Sequence, residues 1–346
     1  MWSRRMCLVV LMLFAALPIL VVGSGSASEN SNRVPITTEN ASEVVKLHDL
    51  RGHSDMVTSV LFLGDTGLLA SAGIDGTIRL WDPGSAQEVH SYQSRAGDWN
   101  NVFAFVDGLL VSSIDDSIRL WRVSPWEDAT PGGIARERDV LSLAAAVDGS
   151  LLAVGRLDHR LELWNLPTGE LLQSLPERNF PVAGLSLSPD GTLLASALLG
   201  ETPEHSIRLW DSGTGELLHS LVGHARYAYS TAFSPDGTLL ASASGDNTVK
   251  VWAVETGKEV RTMRGHRGKV MDVEFSPDGR LLLSASAHGR DAIVWDVQTG
   301  EKLRYILLGD ELTCVAFSPD GTLFAIGGYG GVLMLWGVPE FRGHST

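Results

Sequence analysis

Two sets of residues carry the side-chain types of a hydrolytic catalytic triad. They are His53, Ser71 and Asp75, and His224, Ser242 and Asp246. In a serine hydrolase, the histidine takes the proton of the serine hydroxyl, and the aspartate orients the imidazole and stabilises its charge. The order and spacing of the residues are identical in the two sets. Because an enzyme needs one site, this duplication favours a structural role, and we predict no catalytic residue in the chain.

Other chemistries find less support. The ten histidines and two cysteines never fall into a His-x-x-x-His or Cys-x-x-Cys spacing, so no metal site is predicted. The glycine-rich segment GGYGG at 327–331 does not open a helix, and no Gly-x-x-x-x-Gly-Lys phosphate loop is present. The Asp-Gly pairs are typical of tight turns and not of calcium loops. We therefore expect no cofactor.

The elements that position these residues are indicated by a tryptophan that recurs every 40 to 46 residues. Its positions are 81, 121, 164, 210, 252, 295 and 336. Each tryptophan ends an alternating segment such as TIRLW, SIRLW or TVKVW. Alternation with a period of two is typical of a strand with one buried face. The sequence thus predicts seven equivalent strands.

Each of these strands belongs to a larger unit. Segments such as VTSVLF and LLASAG precede it as two further strands, and they are joined in four units by the turn sequence SPDG. After the tryptophan, phrases such as GTGELLHSL and ETGKEVRTM predict a turn and a fourth strand. A four-stranded unit repeated seven times predicts an all-β protein, a β-propeller of seven four-stranded antiparallel blades.

At this point the sequence resembles the WD-repeat (WD40) β-propeller family. The resemblance rests on Gly-His pairs at 52–53, 223–224 and 265–266, on Trp-Asp pairs at 81–82, 210–211 and 295–296, and on the period of the repeat. It extends over about residues 44–338, which we predict to be the propeller. Residues 339–346 are predicted to be a C-terminal tail.

The resemblance also implies how the ring closes. Residues 44–50 should form the outer strand of the last blade, which joins the two ends of the chain and protects the edges of the sheet. The segment 340–344 echoes residues 50–53 and is an alternative for the same edge. We rank the N-terminal strand first because it is longer and alternates better.

In the family, a histidine connects a turn aspartate to a serine and a tryptophan. The resemblance therefore implies that the two triad-like sets are structural networks completed by Trp81 and Trp252. A buried polar group without a partner costs about 1 to 3 kcal/mol, so a fully paired network specifies one packing arrangement.

For WD-repeat proteins that bind peptides, the resemblance implies contacts on the narrow face of the ring. The corresponding positions flank the first core residue of each innermost strand or precede the turn aspartate. They are Met56, Thr58, Ile74, Trp99, Asn101, Ile114, Tyr227, Tyr229, Lys269, Met271, His288 and Tyr329. Aromatic residues are enriched where binding energy is concentrated, so Trp99, Tyr227, Tyr229 and Tyr329 are the predicted anchors. The alternative is that some of these side chains only fill the central channel.

The N-terminus predicts export. Residues 6–23 are an apolar run after Arg4 and Arg5, and small residues follow, so we interpret residues 1–27 as a signal peptide or an uncleaved signal anchor. Residues 28–43 are predicted to be a flexible polar linker. Either interpretation predicts an extracytoplasmic propeller, secreted, periplasmic or at the cell surface. The formal charge of −14 and the scattered bases argue against nucleic-acid binding.

These observations favour a non-catalytic protein-interaction scaffold that binds a protein or peptide, with a glycan as an alternative ligand. We expect a monomer that meets the membrane only through the N-terminal segment. Two other hypotheses remain open. One is a propeller enzyme of the hydrolase type with its site at the mouth of the channel, and the other is a membrane-anchored sensory ectodomain.

Overall fold

The computed structural model describes residues 33–93, 103–106, 108–114, 117–130, 140–175, 180–200 and 207–339. Strands account for almost all regular structure in these ranges, and three short 3-10 turns lie at Ala41–Glu43, Gly64–Thr66 and Tyr329–Gly331. In the described part of the chain, no helix is long and apolar enough to cross a lipid bilayer. The predicted leader and anchor, residues 1–27, lie outside the described residues, as does the segment 340–344.

The strands form seven antiparallel sheets of four strands each, which confirms the predicted all-β propeller. The alternating segments seen in the sequence become the strands of these blades. Blade one contains β2 (Val57–Phe62), β3 (Leu69–Gly73), β4 (Thr77–Asp82) and β5 (Gln87–Gln93). Blade two contains β6 (Phe103–Val106), β7 (Leu109–Ile114), β8 (Ser117–Val123) and β9 (Trp126–Asp128). Blade three contains β10 (Val140–Ala145), β11 (Leu151–Arg156), β12 (Leu161–Asn165) and β13 (Glu170–Leu175).

The remaining blades follow the same order. Blade four contains β14 (Val182–Leu187), β15 (Leu193–Leu198), β16 (Ile207–Asp211) and β17 (Leu217–Ser220). Blade five contains β18 (Ala228–Phe233), β19 (Leu239–Ser244), β20 (Thr248–Ala253) and β21 (Lys258–Arg264). Blade six contains β22 (Val270–Phe275), β23 (Leu281–Ser286), β24 (Asp291–Asp296) and β25 (Lys302–Leu307). Blade seven contains β26 (Leu312–Phe317), β27 (Leu323–Gly328), β28 (Leu333–Gly337) and β1 (Val45–Asp49).

Blade seven is built from both ends of the described chain. Strand β1 pairs antiparallel with β28, with Val45 opposite Gly337 and Asp49 opposite Met334. The innermost strand of this blade also contacts blade one, where the Thr313 hydroxyl donates a hydrogen bond to the Val57 carbonyl oxygen. The last blade thus touches the first, and the outer edge of β28 is occupied by a strand.

The apolar core lies between the blades. Within the described residues, buried side chains form seven clusters, and each cluster joins two neighbouring blades. One cluster, for example, combines Trp81 and Leu69 of blade one with Leu335 and Leu323 of blade seven. Four of the tryptophans are among the largest fully buried side chains. An aromatic side chain buries roughly 150 to 250 Å². The tryptophan repeat therefore supplies packing at each junction.

Residues 33–43 differ from the expectation of a flexible linker. The Ile36 amide donates a hydrogen bond of 2.8 Å to the Gly321 carbonyl oxygen, and the Ile36 and Ala41 side chains are buried in the cluster between blades six and seven. Arg304 adds a hydrogen bond from Nη1 to the Ser42 carbonyl oxygen. Two apolar residues in a polar stretch were enough to dock this segment because they enter an existing core.

Candidate functional site

The two triad-like sets form hydrogen-bonded networks inside blades one and five. In blade one, His53 Nδ1 lies 3.1 Å from Asp75 Oδ2, and its Nε2 lies 2.7 Å from the Ser71 hydroxyl oxygen. That oxygen also accepts a hydrogen bond of 2.8 Å from the Trp81 indole nitrogen.

Blade five repeats this arrangement. His224 Nδ1 lies 2.9 Å from Asp246 Oδ2, and its Nε2 lies 2.8 Å from the Ser242 hydroxyl oxygen. The Trp252 indole donates to the same oxygen at 2.9 Å.

Blade six contains a third network, which the sequence analysis missed. His266 contacts Asp291 through Nδ1 and Ser284 through Nε2, and the Trp295 indole donates to Ser284 at 2.8 Å. The Gly265-His266 pair and the tryptophan were visible signals. The aspartate was missed because it occupies the first position of β24 and not the turn position that Asp75 and Asp246 share.

The electrostatics of the networks favour an ionised aspartate. Burial opposes ionisation of Asp75 and Asp246, but hydrogen bonds from the histidine and from a neighbouring threonine outweigh it and hold their pKa values well below the usual range. The pKa of Asp291 is also lowered, because hydrogen bonds from His266, the Arg267 amide and Tyr305 outweigh the effect of burial.

Access separates these networks from a catalytic site. The reacting oxygen of a hydrolase must reach its substrate, yet Ser71, Ser242 and Ser284 are fully buried. Their hydroxyl oxygens are also already engaged by both an imidazole and an indole. The arrangement therefore has the order of a triad without room for a substrate.

A cavity of about 360 Å³ opens at the end of the channel where the innermost strands begin. We call this opening the mouth. Its wall includes five of the predicted binding positions, namely Met56, Thr58, Tyr229, Met271 and Tyr329. Other residues of the innermost strands, such as Leu141 and Thr313, complete the wall.

Aromatic side chains are concentrated on one side of the mouth. The rings of Tyr227 and Tyr229 meet edge to face with their centroids 5.2 Å apart. The Lys269 ammonium lies 5.9 Å from the centre of the Tyr227 ring. The Tyr227 ring packs on Gly245, where an added Cβ would lie 2.9 Å from it, so the glycine makes room for the ring.

The pKa values of the two tyrosine hydroxyls are shifted in opposite directions. A hydrogen bond with Tyr229 and the nearby Lys269 lower the pKa of Tyr227, whereas burial raises the pKa of Tyr229. The pair thus joins two half-buried tyrosines whose hydroxyls differ in acidity.

The remaining predicted positions differ in accessibility. Tyr329 is 37% exposed, and the exposed His288 side chain pairs with Glu311 at 3.5 Å. Ile74 is half-buried in the turn between β3 and β4. Met56 and Ile114 are only 6% and 1% exposed, so these two present little or no surface to a partner. The Ile114 side chain packs in the cluster between blades one and two, as a core residue does. Trp99 and Asn101 lie outside the described residues.

Two acids in the wall of the channel were not anticipated. Asp272 Oδ2 accepts a hydrogen bond of 3.0 Å from the Val315 amide, and Glu274 accepts one of 2.6 Å from the Phe317 amide, so β22 is joined to β26 by side chains. Burial raises the pKa of Asp272 to about 6 and that of Glu274 to about 8. Strand alternation predicts that the two side chains share a face but not that they lie half-buried in the channel wall.

Metal ligands do not converge in the part of the chain that the structure describes, where no group of three or more His, Cys, Asp or Glu side chains is arranged to hold an ion.

Comparison with known proteins gives consistent matches. A family model described as "WD domain, G-beta repeat" matches residues 44–82 and 169–211, and one described as "IFT122 first beta-propeller" matches residues 198–344. The chain is 33% identical to telomerase protein component 1 of Mus musculus over 140 residues. This match covers 39% of this chain and 5% of that protein.

Two further relatives extend this similarity. Periodic tryptophan protein 2 of Arabidopsis thaliana is 27% identical over 150 residues, 42% of this chain and 17% of that protein. WD repeat-containing protein SL1-17 of Schistosoma mansoni is 31% identical over 158 residues, 45% of this chain and 52% of that protein. The chain thus spans from a small fraction to about half of the length of these relatives.

Proposed function

Because this chain belongs to the WD-repeat β-propeller family, we propose that it is a non-catalytic scaffold whose mouth binds a peptide or a loop of a partner protein. The observation that carries the proposal is the aromatic wall of the mouth, where Tyr229 and Tyr329 line a cavity of about 360 Å³ and Tyr227 packs edge to face on Tyr229. Tyrosine offers a large contact area at low cost in conformational entropy, and such side chains dominate the energetics of many interfaces.

The hydrolase alternative has weaker support. The serine hydroxyls of the three networks are buried away from the mouth cavity and are shared with indoles. Among the described residues, the charged positions predicted on the rim, Lys269 and His288, approach a tyrosine ring and Glu311 respectively. Neither contact resembles an activated nucleophile.

The binding surface is tested by capturing partners from extracts of the native cells. The wild-type protein is compared with the double variant Tyr227→Ala/Tyr229→Ala. A control, Leu217→Ala/Leu218→Ala, removes two exposed apolar side chains from an outer strand. We expect the tyrosine variant to lose at least tenfold of the captured partner, since buried aromatic anchors are worth about 2 kcal/mol or more each. Equal capture by all three proteins, with unchanged thermal unfolding, would reject the mouth as the site.

We further propose that the propeller works outside the cytoplasm, on the basis of the leader pattern in residues 1–27. The intact mass of protein isolated from its native cells distinguishes the possibilities. A mass that lacks about the first 27 residues, in protein recovered outside the cytoplasm, supports a secreted scaffold. A full-length mass in the membrane fraction supports the anchored ectodomain. A full-length mass in the cytosol contradicts export.

A further inference from the structure

The rim of the mouth is positively charged on the side of blades five and six. The bases lie in the segments that lead into β18 and β22 and in the turn between β23 and β24. They are Arg226, Arg267, Lys269 and Arg290. All are exposed except Lys269, which is half-buried. The concentration is notable because the chain as a whole carries a net charge of −14.

These bases make no ion pair with a carboxylate within the described residues, whereas several bases on the strands of the blades do. Lys269 and Arg267 lie over the rings of Tyr227 and Tyr305, at 5.9 Å and 5.6 Å from their centres. Arg290 donates a hydrogen bond of 3.3 Å to the Gly309 carbonyl oxygen. By contrast, Lys250 lies 2.6 Å from Glu259 on the outer side of blade five. The rim therefore keeps positive charge that the protein itself does not neutralise.

The neighbouring side of the same rim, at blades seven and one, is acidic. Asp55, Asp310 and Glu311 precede the innermost strands of blades one and seven. The Asp55 and Asp310 carboxylates accept hydrogen bonds from the amide of the next residue, at 2.7 Å and 3.0 Å. The pair between His288 and Glu311 lies at the boundary between the two sides. The mouth is thus polarised, with bases beside Tyr227 and Tyr229 and acids beside Tyr329.

Resting on the proposed function, we infer that the partner segment is an acidic peptide in which Asp or Glu residues flank an aromatic or aliphatic side chain. The apolar side chain enters the cavity beside Tyr229 and Met271, and the carboxylates face Lys269, Arg267 and Arg226. Complementary charge increases specificity and the rate of association, and like charge rejects the wrong partner. The acidic side of the rim fixes the orientation of the peptide and disfavours a continuous polyanion such as nucleic acid.

The inference is tested by selection from a displayed library of random 12-residue peptides. The wild-type propeller is compared with Arg267→Glu/Lys269→Glu and with the control Lys258→Glu/Arg280→Glu, which has the same net charge but changes exposed bases away from the mouth. We expect the wild type and the control to enrich acidic peptides with an apolar residue. The rim variant should bind the selected peptides at least tenfold more weakly, and salt should weaken the wild-type complex.

The possible failures are distinguishable. If peptides are enriched at the mouth, as shown by their loss in Tyr227→Ala/Tyr229→Ala, but carry no excess of acids, the scaffold proposal stands and the acidic partner is rejected. If no peptide depends on the tyrosines, both are rejected. If a fluorescent single-stranded 20-nucleotide DNA binds with the same dependence on Lys269, the mouth is a polyanion site and the peptide assignment is wrong.

Discussion

The histidines of blades one, five and six illustrate how environment decides the role of a residue. Each imidazole lies between a carboxylate and a serine hydroxyl, as in an acyl-transfer enzyme. The serine oxygen also accepts an indole hydrogen bond and has no contact with solvent. Paired buried polar groups stabilise one packing arrangement, and each would be costly if left unpaired. The hydrogen bonds of these residues therefore connect the strands of a blade.

The raised pKa values of the two acids in the channel wall predict that the stability of the protein depends on pH. Burial raises the pKa of Asp272 from 3.8 to about 6 and that of Glu274 from 4.5 to about 8. Between about pH 4 and pH 8, the folded protein therefore binds more protons than the unfolded chain. The stabilising contribution is complete below about pH 4 and is lost as the pH rises to about 8. The two shifts alone correspond to a fall of about 5 kcal/mol in the free energy of unfolding between pH 5 and 8. Because both side chains are only half-buried and are partly screened by solvent, we expect a fall of on the order of 2 kcal/mol.

Urea unfolding at several pH values measures this effect. Glu274→Gln keeps an oxygen that can accept the hydrogen bond from the Phe317 amide but removes the titration, so its profile should be flatter between pH 6 and 8. Glu301→Gln, an exposed acid of blade six, is the control and should follow the wild type. A wild-type stability that rises from pH 5 to 8 would contradict the assignment.

At the scale of elements, most of the blade architecture could be predicted because each strand alternates and each tryptophan marks a third strand. The short β9 and the third polar network were harder to predict, since residues 124–139 depart from the repeat and Asp291 is displaced from the turn. The burial of Ile36 and Ala41 was not predicted, because the polar composition of residues 28–43 indicates a linker. The mouth positions followed from register, but the burial of Ile114 depends on its neighbouring blade.

The close approach of neighbouring innermost strands can be tested at Gly184. A Cβ added there would lie 2.5 Å from the Tyr229 carbonyl oxygen, so β14 and β18 cannot both keep their positions beside a larger residue. We expect Gly184→Ala to lower the free energy of unfolding by about 1 to 3 kcal/mol, measured by urea titration. Gly309→Ala is a matched control because no heavy atom lies within 4 Å of its added Cβ. Equal stability of the two variants would show that the strands separate easily.

At the scale of the whole molecule, stability depends on joining the first blade to the last. The edge of β28 is paired with β1, and Ile36, Val44 and Leu50 enter the clusters beside blade seven. An unpaired strand edge is a site for association with other chains, and each buried aliphatic side chain contributes roughly 1.5 to 3 kcal/mol. The N-terminal segment therefore stabilises the ring through both pairing and packing.

Two deletions distinguish the N-terminal strand from the C-terminal tail as the partner of β28. Removal of residues 33–50 takes away β1 and four buried apolar side chains, Ile36, Ala41, Val44 and Leu50. The expected loss is comparable to the whole stability of many domains. We expect that protein to unfold at a much lower temperature or to aggregate. Removal of residues 340–346 should leave the melting temperature unchanged, because the edge of β28 is already paired. The opposite result would mean that the tail supplies the fourth strand of blade seven in solution.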